Sequence, residues 1–285
     1  MYIPAVSTIL CMVWFSPAIL TREAKIFLAS FLAATIVSLG EGLYQPLLGT
    51  IGPLPLLTVV VSAGSLLLAV ILNLQKPGRE ALGPALLAVG RNLRYYLLLP
   101  VAFSALFIAG LLFSHYAGLA LPAIAFDPWT FGAFLGLYLV TSVVSWPKFF
   151  GEEYGWRYYL QDRMFGLYGT GKGVVLIGLI WGLWHLPLNL VGLNFAENLV
   201  AGNLVYLVYT ITIGIIFSFA VLKTGSIWIA VLLHAITDAL VVTGYPYIAN
   251  GQVLFAFIPV LVLLGVLAIV LLRSAVWVEA DKPAP

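Results

Sequence analysis

Nine apolar runs follow one another along this chain, at 2–20, 26–46, 54–74, 95–113, 130–147, 173–192, 201–222, 226–244 and 253–272. Each is close to the roughly 20 residues that a helix needs to cross the hydrocarbon core of a bilayer. None has the two-residue alternation of a barrel strand, so each reads as helix. In lipid a helix satisfies its own backbone hydrogen bonds. That constraint fixes the expected fold class: an all-α, polytopic membrane helix bundle of eight to nine transmembrane helices, with residues 1–285 as a single integral membrane domain. The count is eight if one run is re-entrant or interfacial, the candidate being 26–46, which contains Glu41. Composition excludes the main alternatives. Charged residues are 8% of the chain and apolar ones 62%, whereas a soluble domain carries about 25% charged residues. A net charge of +2 offers no nucleic-acid footprint. The lone Cys11 can neither form an intrachain disulfide nor supply a cysteine metal cluster. The absence of an internal repeat weighs against a repeat-built transporter.

The basic residues orient the bundle. The first connection holds Arg22 and Lys25; the third, Lys76, Arg79, Arg91 and Arg94; the fifth, Lys148, Arg157, Arg163 and Lys172; the seventh, Lys223; the tail, Arg273 and Lys282. These are all thirteen Lys and Arg of the chain. The even-numbered connections, 47–53, 114–129, 193–200 and 245–252, hold none. Lys and Arg accumulate on the cytoplasmic side, so the N-terminus is expected outside and the C-terminus cytoplasmic, in a prokaryotic plasma membrane. The first run has no basic residue before it and no small-x-small cleavage site, so it reads as a permanent span. Segment 83–94 reads as an interfacial helix, and His115 as a solvated loop residue. Glu41 is expected to pair with an arginine or line a cavity.

An ionisable group in a membrane is costly to place there and is a functional candidate for that reason. Three segments carry such groups. GEEYGWRYYL contains Glu152, Glu153 and Arg157; IWGLWHLPLNL contains His185 and Asn189; SIWIAVLLHAITDAL contains His234 and Asp238. On a helix Glu153 and Arg157 share a face and can pair, and Glu152 looks elsewhere. The arginine would keep one carboxylate ionised while desolvation and like charge act on the other, which is how a general base is tuned. Trp181, His185 and Asn189 form one stripe, with Pro187 placed to kink the span. His234 and Asp238 share another face. Taken singly, the three groups could be a surface salt bridge, a packing histidine and an interhelical clamp. Three on three segments favour one shared site. Bringing 152–153 to the two histidines requires a helix to resume after Pro147, which the helix formers and amphipathic spacing of GEEYGWRYYLQDRMF allow, or the loop to dip inward. Run depths of about 18 and 12 Å, at 1.5 Å per residue, place the histidines on the cytoplasmic side.

The chemistry open to such a set is water activation. Glu152 could act as general base with His185 sharing the proton, His234 could donate to a developing oxyanion, and Asp238 could orient His234 or donate if protonated. No cofactor is needed. Zinc is the alternative, since two histidines and a glutamate are a catalytic zinc set, although there is no H-E-x-x-H.

At these residues the chain resembles the CPBP family, the CAAX-protease and bacteriocin-processing (Abi) intramembrane proteases, also called type II CAAX prenyl endopeptidase-like proteins. Their motifs are E-E-x-x-x-R, F-x-x-x-H and H-x-x-x-N or D. Here these correspond to Glu152, Glu153 and Arg157, then Trp181 to His185, then His234 to Asp238, within a core at about 145–240. The resemblance implies a glutamate-dependent intramembrane endopeptidase that cleaves a peptide or protein substrate, lipidated or not, near the cytoplasmic membrane face. It makes Glu152 the water-activating base assisted by His185, His234 and Asp238 the oxyanion-side residues, and Glu153 and Arg157 supporting residues. There are two departures. Trp181 replaces the usual Phe, a mild swap, and Asp238 stands where prenyl proteases have Asn. An ionised Asp cannot donate to an oxyanion, so Asp238 is either protonated or orienting. The remaining alternatives are a non-enzymatic membrane scaffold or immunity protein on this fold, and a proton-conducting transporter using Glu41.

Overall fold

A computed structural model describes residues 1–48, 54–119, 126–192, 194–195, 198–247 and 253–281; Lys282 and the middles of the second, fourth and eighth connections lie outside them. Among the described residues the secondary structure is helical, with no strand. The helices are α1 (Ile3–Phe15), α2 (Arg22–Leu48), α3 (Leu54–Leu74), α4 (Lys76–Leu82), α5 (Tyr95–Tyr116), α6 (Pro128–Val144), α7 (Trp146–Glu153), α8 (Gln161–Trp184), α9 (Leu186–Leu190), α10 (Leu199–Thr224), α11 (Trp228–Gly244), α12 (Val253–Leu272) and α13 (Val276–Ala280). Six helical stretches are long and apolar enough to cross a membrane: Arg22–Tyr44, Pro55–Leu74, Tyr95–Tyr116, Trp146–Trp184, Leu199–Thr224 and Val253–Leu272. Three shorter apolar helices, α1, α6 and α11, accompany them. Outward side chains such as Leu97, Val101, Val140 and Ile269 are apolar and more than half exposed, as a lipid-facing surface requires. The chain is thus an all-helical, multi-pass membrane protein.

The fifth connection, which the apolar runs place after residue 147, is helical, the first of the two ways in which 152–153 could reach the histidines. α6 ends at Val144, and after Ser145 the chain re-enters helix at Trp146–Pro147; Gly169, at φ 75 and ψ 164, breaks it and turns the chain back, so that Gly173 lies against Met164 and Phe165, and helix continues to Trp184. The aromatic cluster around Trp146 explains why. Its ring packs on Phe27, Phe31, Phe150 and Trp228, and its indole N–H donates to the Ser62 carbonyl at 2.9 Å. A tryptophan with its N–H satisfied can be buried whole. Lys148 and Arg157 therefore belong to the bundle rather than to a loop. α1 is also shorter than its run: it stops at Phe15 before a 3₁₀ turn, Pro17–Ile19.

Hydrogen bonds tie the basic connections to one another. Thr21 Oγ1 donates to the Ala81 carbonyl (2.9 Å), Arg91 N to the Thr224 carbonyl (2.7 Å) and Ile227 N to the Leu86 carbonyl (2.9 Å). Thr170 N donates to Asp281 Oδ1 (2.7 Å) just beyond α13. The expected interfacial helix over 83–94 is not formed. Only a 3₁₀ turn, Gly83–Ala85, follows α4, and the chain then passes through left-handed Leu86, Gly90 and Asn92. Gly90, at φ +80, lies so close to the Thr224 carbonyl that a Cβ would meet it at 2.1 Å. Docking on the α10–α11 junction outweighs helix propensity here. At the opposite ends, Phe126 packs on His115, Phe131 and Tyr247, and Phe195 packs on Phe257. His115 is accordingly not a loop residue. It lies in the last turn of α5, its Nδ1 buried without a partner among the described residues. Glu41 sits in α2 with no ion pair among the described residues and does not line the cavity described below.

α8 and α10 form the closest seam of the bundle. A Cβ on Gly178 would fall 2.4 Å from the Ile211 Cα, and one on Gly214 would touch Gly178. Membrane helices without a hydrophobic drive to associate use small residues in this way to bring their backbones together. Gly178→Ala is expected to destabilise the detergent-solubilised protein by about 1–3 kcal/mol through overpacking. Gly166→Ala, in open space, should leave the melting temperature unchanged. Thermal unfolding of the two variants beside wild type measures the difference.

Candidate active site

Four helical segments deliver the polar residues. The Trp146 anchor sets the rotation of α7, so that both Glu152 and Glu153 point inward, 1% and 0% exposed. Directly after Glu153 the helix widens into a π-helical segment, Tyr154–Leu160. Such i→i+5 turns are rare and occur most often at functional sites. α1 runs along this segment, and Gly155 touches Pro4 too closely for any side chain. Arg157 lies within it, wholly buried.

Glu153 holds this interior together. Its Oε2 is 3.1 Å from Arg157 Nη1, and its Oε1 accepts from His234 Nδ1 at 2.7 Å. The Arg157 guanidinium lies over the Trp181 ring at 4.2 Å and near Phe217 at 5.3 Å, a cation–π contact that desolvation strengthens. On the far side of His234, Nε2 is 3.8 Å from Asp238 Oδ1, and Asp238 Oδ2 lies 3.5 Å from Lys148 Nζ. Lys148 also donates to the Tyr138 hydroxyl at 3.2 Å. Arg157, Glu153, His234, Asp238 and Lys148 thus form one line in which basic and acidic side chains alternate through apolar surroundings.

Glu152 faces elsewhere, as its position on the helix implied. Its Oε2 accepts from Trp181 Nε1 at 2.9 Å, and its other oxygen has no hydrogen-bond partner among the described residues. It lines a cavity of about 570 Å³ together with His185, His234, Asp238, Lys148 and Tyr206. α8 ends at Trp184, and the chain turns at His185 before α9, whose first turn contains Pro187. The kink expected from this proline is present. His185 Nδ1 lies 2.9 Å from the Trp181 carbonyl. A carbonyl only accepts, so Nδ1 carries a proton, and in the neutral ring Nε2 keeps its lone pair.

Glu152, His185, His234 and Asp238 therefore meet at one cavity, while Glu153 and Arg157 lie behind it. Asn189 does not join them; it bonds to Asn194 and Asn203. Lys148 was read from the sequence only as a topological charge. Its four-residue spacing to Glu152 put it on the same face and was the available signal. Trp181 is more than a mild aromatic swap, because no phenyl ring could supply the N–H that holds Glu152. Among the described residues no three His, Cys, Asp or Glu side chains converge as a metal ion requires.

His185 follows the stretch 170–184 beyond the break at Gly169, and His234 lies in the first half of α11. The lining of the cavity extends to Asn194, Phe195, Gly244 and Val253. These flank the sixth and eighth connections, at the end of the bundle opposite the basic connections.

Comparison with known proteins follows the same residues. Residues 130–240 match the sequence model of the family described as type II CAAX prenyl endopeptidase Rce1-like. A curated relative, CAAX prenyl protease 2 of Methanococcus maripaludis, is 32% identical over 88 residues, covering 29% of this chain and 32% of that protein. The chain thus spans about a third of the length of the curated relative it matches. No solved structure matches the chain. The family match bears out the resemblance seen in the motifs.

Removing one partner of a buried ion pair leaves the other uncompensated and costs about 3–5 kcal/mol. Glu153→Ala should therefore lower the unfolding free energy by about that amount, because it strands Arg157. Glu152→Gln, which can still accept from Trp181, should unfold close to wild type. Parallel denaturation curves in one detergent distinguish the two neighbours.

Proposed function

We propose that the Rce1-like segment at 130–240 makes this protein an intramembrane endopeptidase of the glutamic type, hydrolysing a peptide bond with water activated by Glu152. The observation that carries this reading is Glu152 itself: a buried carboxylate with one oxygen pinned by the Trp181 N–H and the other free, on the wall of a cavity shared with His185. A water between the free oxygen and His185 Nε2 would be held by two acceptors and aimed at a carbonyl carbon. As its oxygen bonds to that carbon, one proton passes to Glu152. The carbonyl becomes an oxyanion, stabilised by nearby donors. When the C–N bond breaks, the proton moves from Glu152 to the leaving amine.

On the oxyanion side stand His234 and Lys148. Asp238 lies 3.5 Å from Lys148 Nζ and 3.8 Å from His234 Nε2, so its role is to orient these two neighbours, and the Lys148 ammonium serves as donor. Glu153 fixes the His234 ring, and Arg157 fixes Glu153. The apolar wall of Phe107, Leu111, Ile213 and Phe257 suits an apolar or lipid-modified substrate side chain. No cofactor enters this scheme.

The test is cleavage of a fluorogenic peptide library, some members prenylated, by the purified protein in detergent. Glu152→Gln should lower kcat/KM by about 10²–10⁴-fold, the usual weight of a general base. Lys148→Met should lower kcat by about 10²–10³-fold with KM nearly unchanged, as loss of one oxyanion donor does. Activity that persists in Glu152→Gln, or that is lost on chelation and restored by zinc, overturns the glutamate assignment.

A further inference from the structure

The cavity beside Glu152 holds a hydroxyl that the scheme above leaves unused. The close seam between α8 and α10 continues past Gly178 to Gly182, where a Cβ would fall 2.5 Å from Thr210 Oγ1 and 2.7 Å from Leu207 Cδ2. A glycine here lets the two helices stay in contact up to the turn at His185. Tyr206, next to Leu207 on α10, therefore meets the His185 ring at 5.3 Å, inclined by 53°. It also packs on Tyr209 at 6.1 Å, which in turn meets Phe257 at 5.1 Å. Packing thus fixes the Tyr206 ring on the wall of the cavity that Glu152, His185 and Asp238 share.

The Tyr206 hydroxyl has no hydrogen-bond partner among the described residues and is not enclosed by its neighbours; the Tyr209 hydroxyl is unpartnered but enclosed. The other neutral donors on the wall are engaged within the protein. Trp181 Nε1 donates to Glu152, the Thr237 hydroxyl to the Leu233 carbonyl at 2.7 Å, and Asn194 Nδ2 to Asn189 Oδ1 at 2.8 Å, while the Tyr138 hydroxyl holds Lys148. Tyr206 interacts electrostatically with both Glu152 and Asp238 but is hydrogen-bonded to neither. It therefore flanks the space between the base and the oxyanion side. We infer that the Tyr206 hydroxyl is a catalytic donor, giving a hydrogen bond to the carbonyl oxygen of the scissile peptide bond as that oxygen takes on negative charge. This inference rests on the peptidase reading above. A phenol is protonated at neutral pH, so it donates without giving up its proton and without bringing a further charge into the apolar interior. A donor already fixed in place costs no reorganisation when the charge develops. Lys148 is shared with Asp238 and Tyr138, and a neutral partner for the same oxygen completes the pair.

Tyr206→Phe keeps the ring and removes only the hydroxyl. That hydroxyl has no partner, so the melting temperature in detergent should match wild type. Against the best-cleaved member of the peptide library, kcat should fall about 10²-fold with KM nearly unchanged, as loss of one oxyanion donor does. The second measurement is inhibition by a phosphinate analogue of that peptide, whose tetrahedral, charged P–O group mimics the intermediate. Its Ki should rise in Tyr206→Phe by about the same 10²-fold, while inhibition by the cleaved product peptide stays unchanged. An unaltered kcat in Tyr206→Phe, with Glu152→Gln inactive, overturns the Tyr206 assignment and leaves the peptidase reading standing. A rise in KM alone overturns it as well, because the hydroxyl then serves the ground state. Equal weakening of phosphinate and product, with a lowered melting temperature, makes Tyr206 a packing residue and likewise overturns it. No cleavage by wild type overturns the peptidase reading, and the oxyanion role falls with it.

Discussion

A charge with no water around it must have a partner, and in this molecule that requirement falls on Arg157. Its guanidinium is fully enclosed, with Glu153 as its ion-pair partner and the face of Trp181 as its cushion. An isolated buried charge would be prohibitively costly. The fold therefore cannot close unless Glu153 is brought to that spot, which requires α7 and the π-helical segment to pack inside the bundle. Glu153 in turn captures His234, and so locks α11 to α7. Trp181, lying against Arg157, is held in the position from which its N–H reaches Glu152. The two adjacent carboxylates thus divide the work. One neutralises the interior, and the other is left with a free oxygen facing the cavity.

Such ion chains are a weak source of net stability, since desolvation offsets most of the attraction. Their value lies in specificity of arrangement. Each cation here has a single compatible position, and sliding any helix by one residue would separate an unlike pair in a low-dielectric medium. The same line of charges ends at Lys148 on the cavity wall, so the packing of the core sets the electrostatics of the site.

Much of this was legible in the chain itself. Long apolar runs made the helices inevitable, and their charged interruptions were few enough to be examined one by one. The i,i+4 spacings of Glu153 with Arg157 and of His234 with Asp238 gave true pairs. What could not be read is where helices meet. The spacing within 148–160 allowed a helix but left open whether it packs inside the bundle, because its charges resemble those of a cytoplasmic loop until their tertiary partners are known. Segment 86–94 failed in the opposite sense: its sequence permits helix, and contact with Thr224 forbids it.

The glycine seam between α8 and α10 has a mechanical meaning. Two helices in backbone contact behave as one plate, and this plate carries Trp181, His185, Tyr206 and Tyr209 on its cavity side. The facing wall is different in character. α6 buries only Phe131 and Ser142 along its length, and it joins α7 through the single non-helical residue Ser145. Tyr138, the hydroxyl to which Lys148 is moored, therefore stands on the sparsely packed wall, opposite the plate that leads to His185.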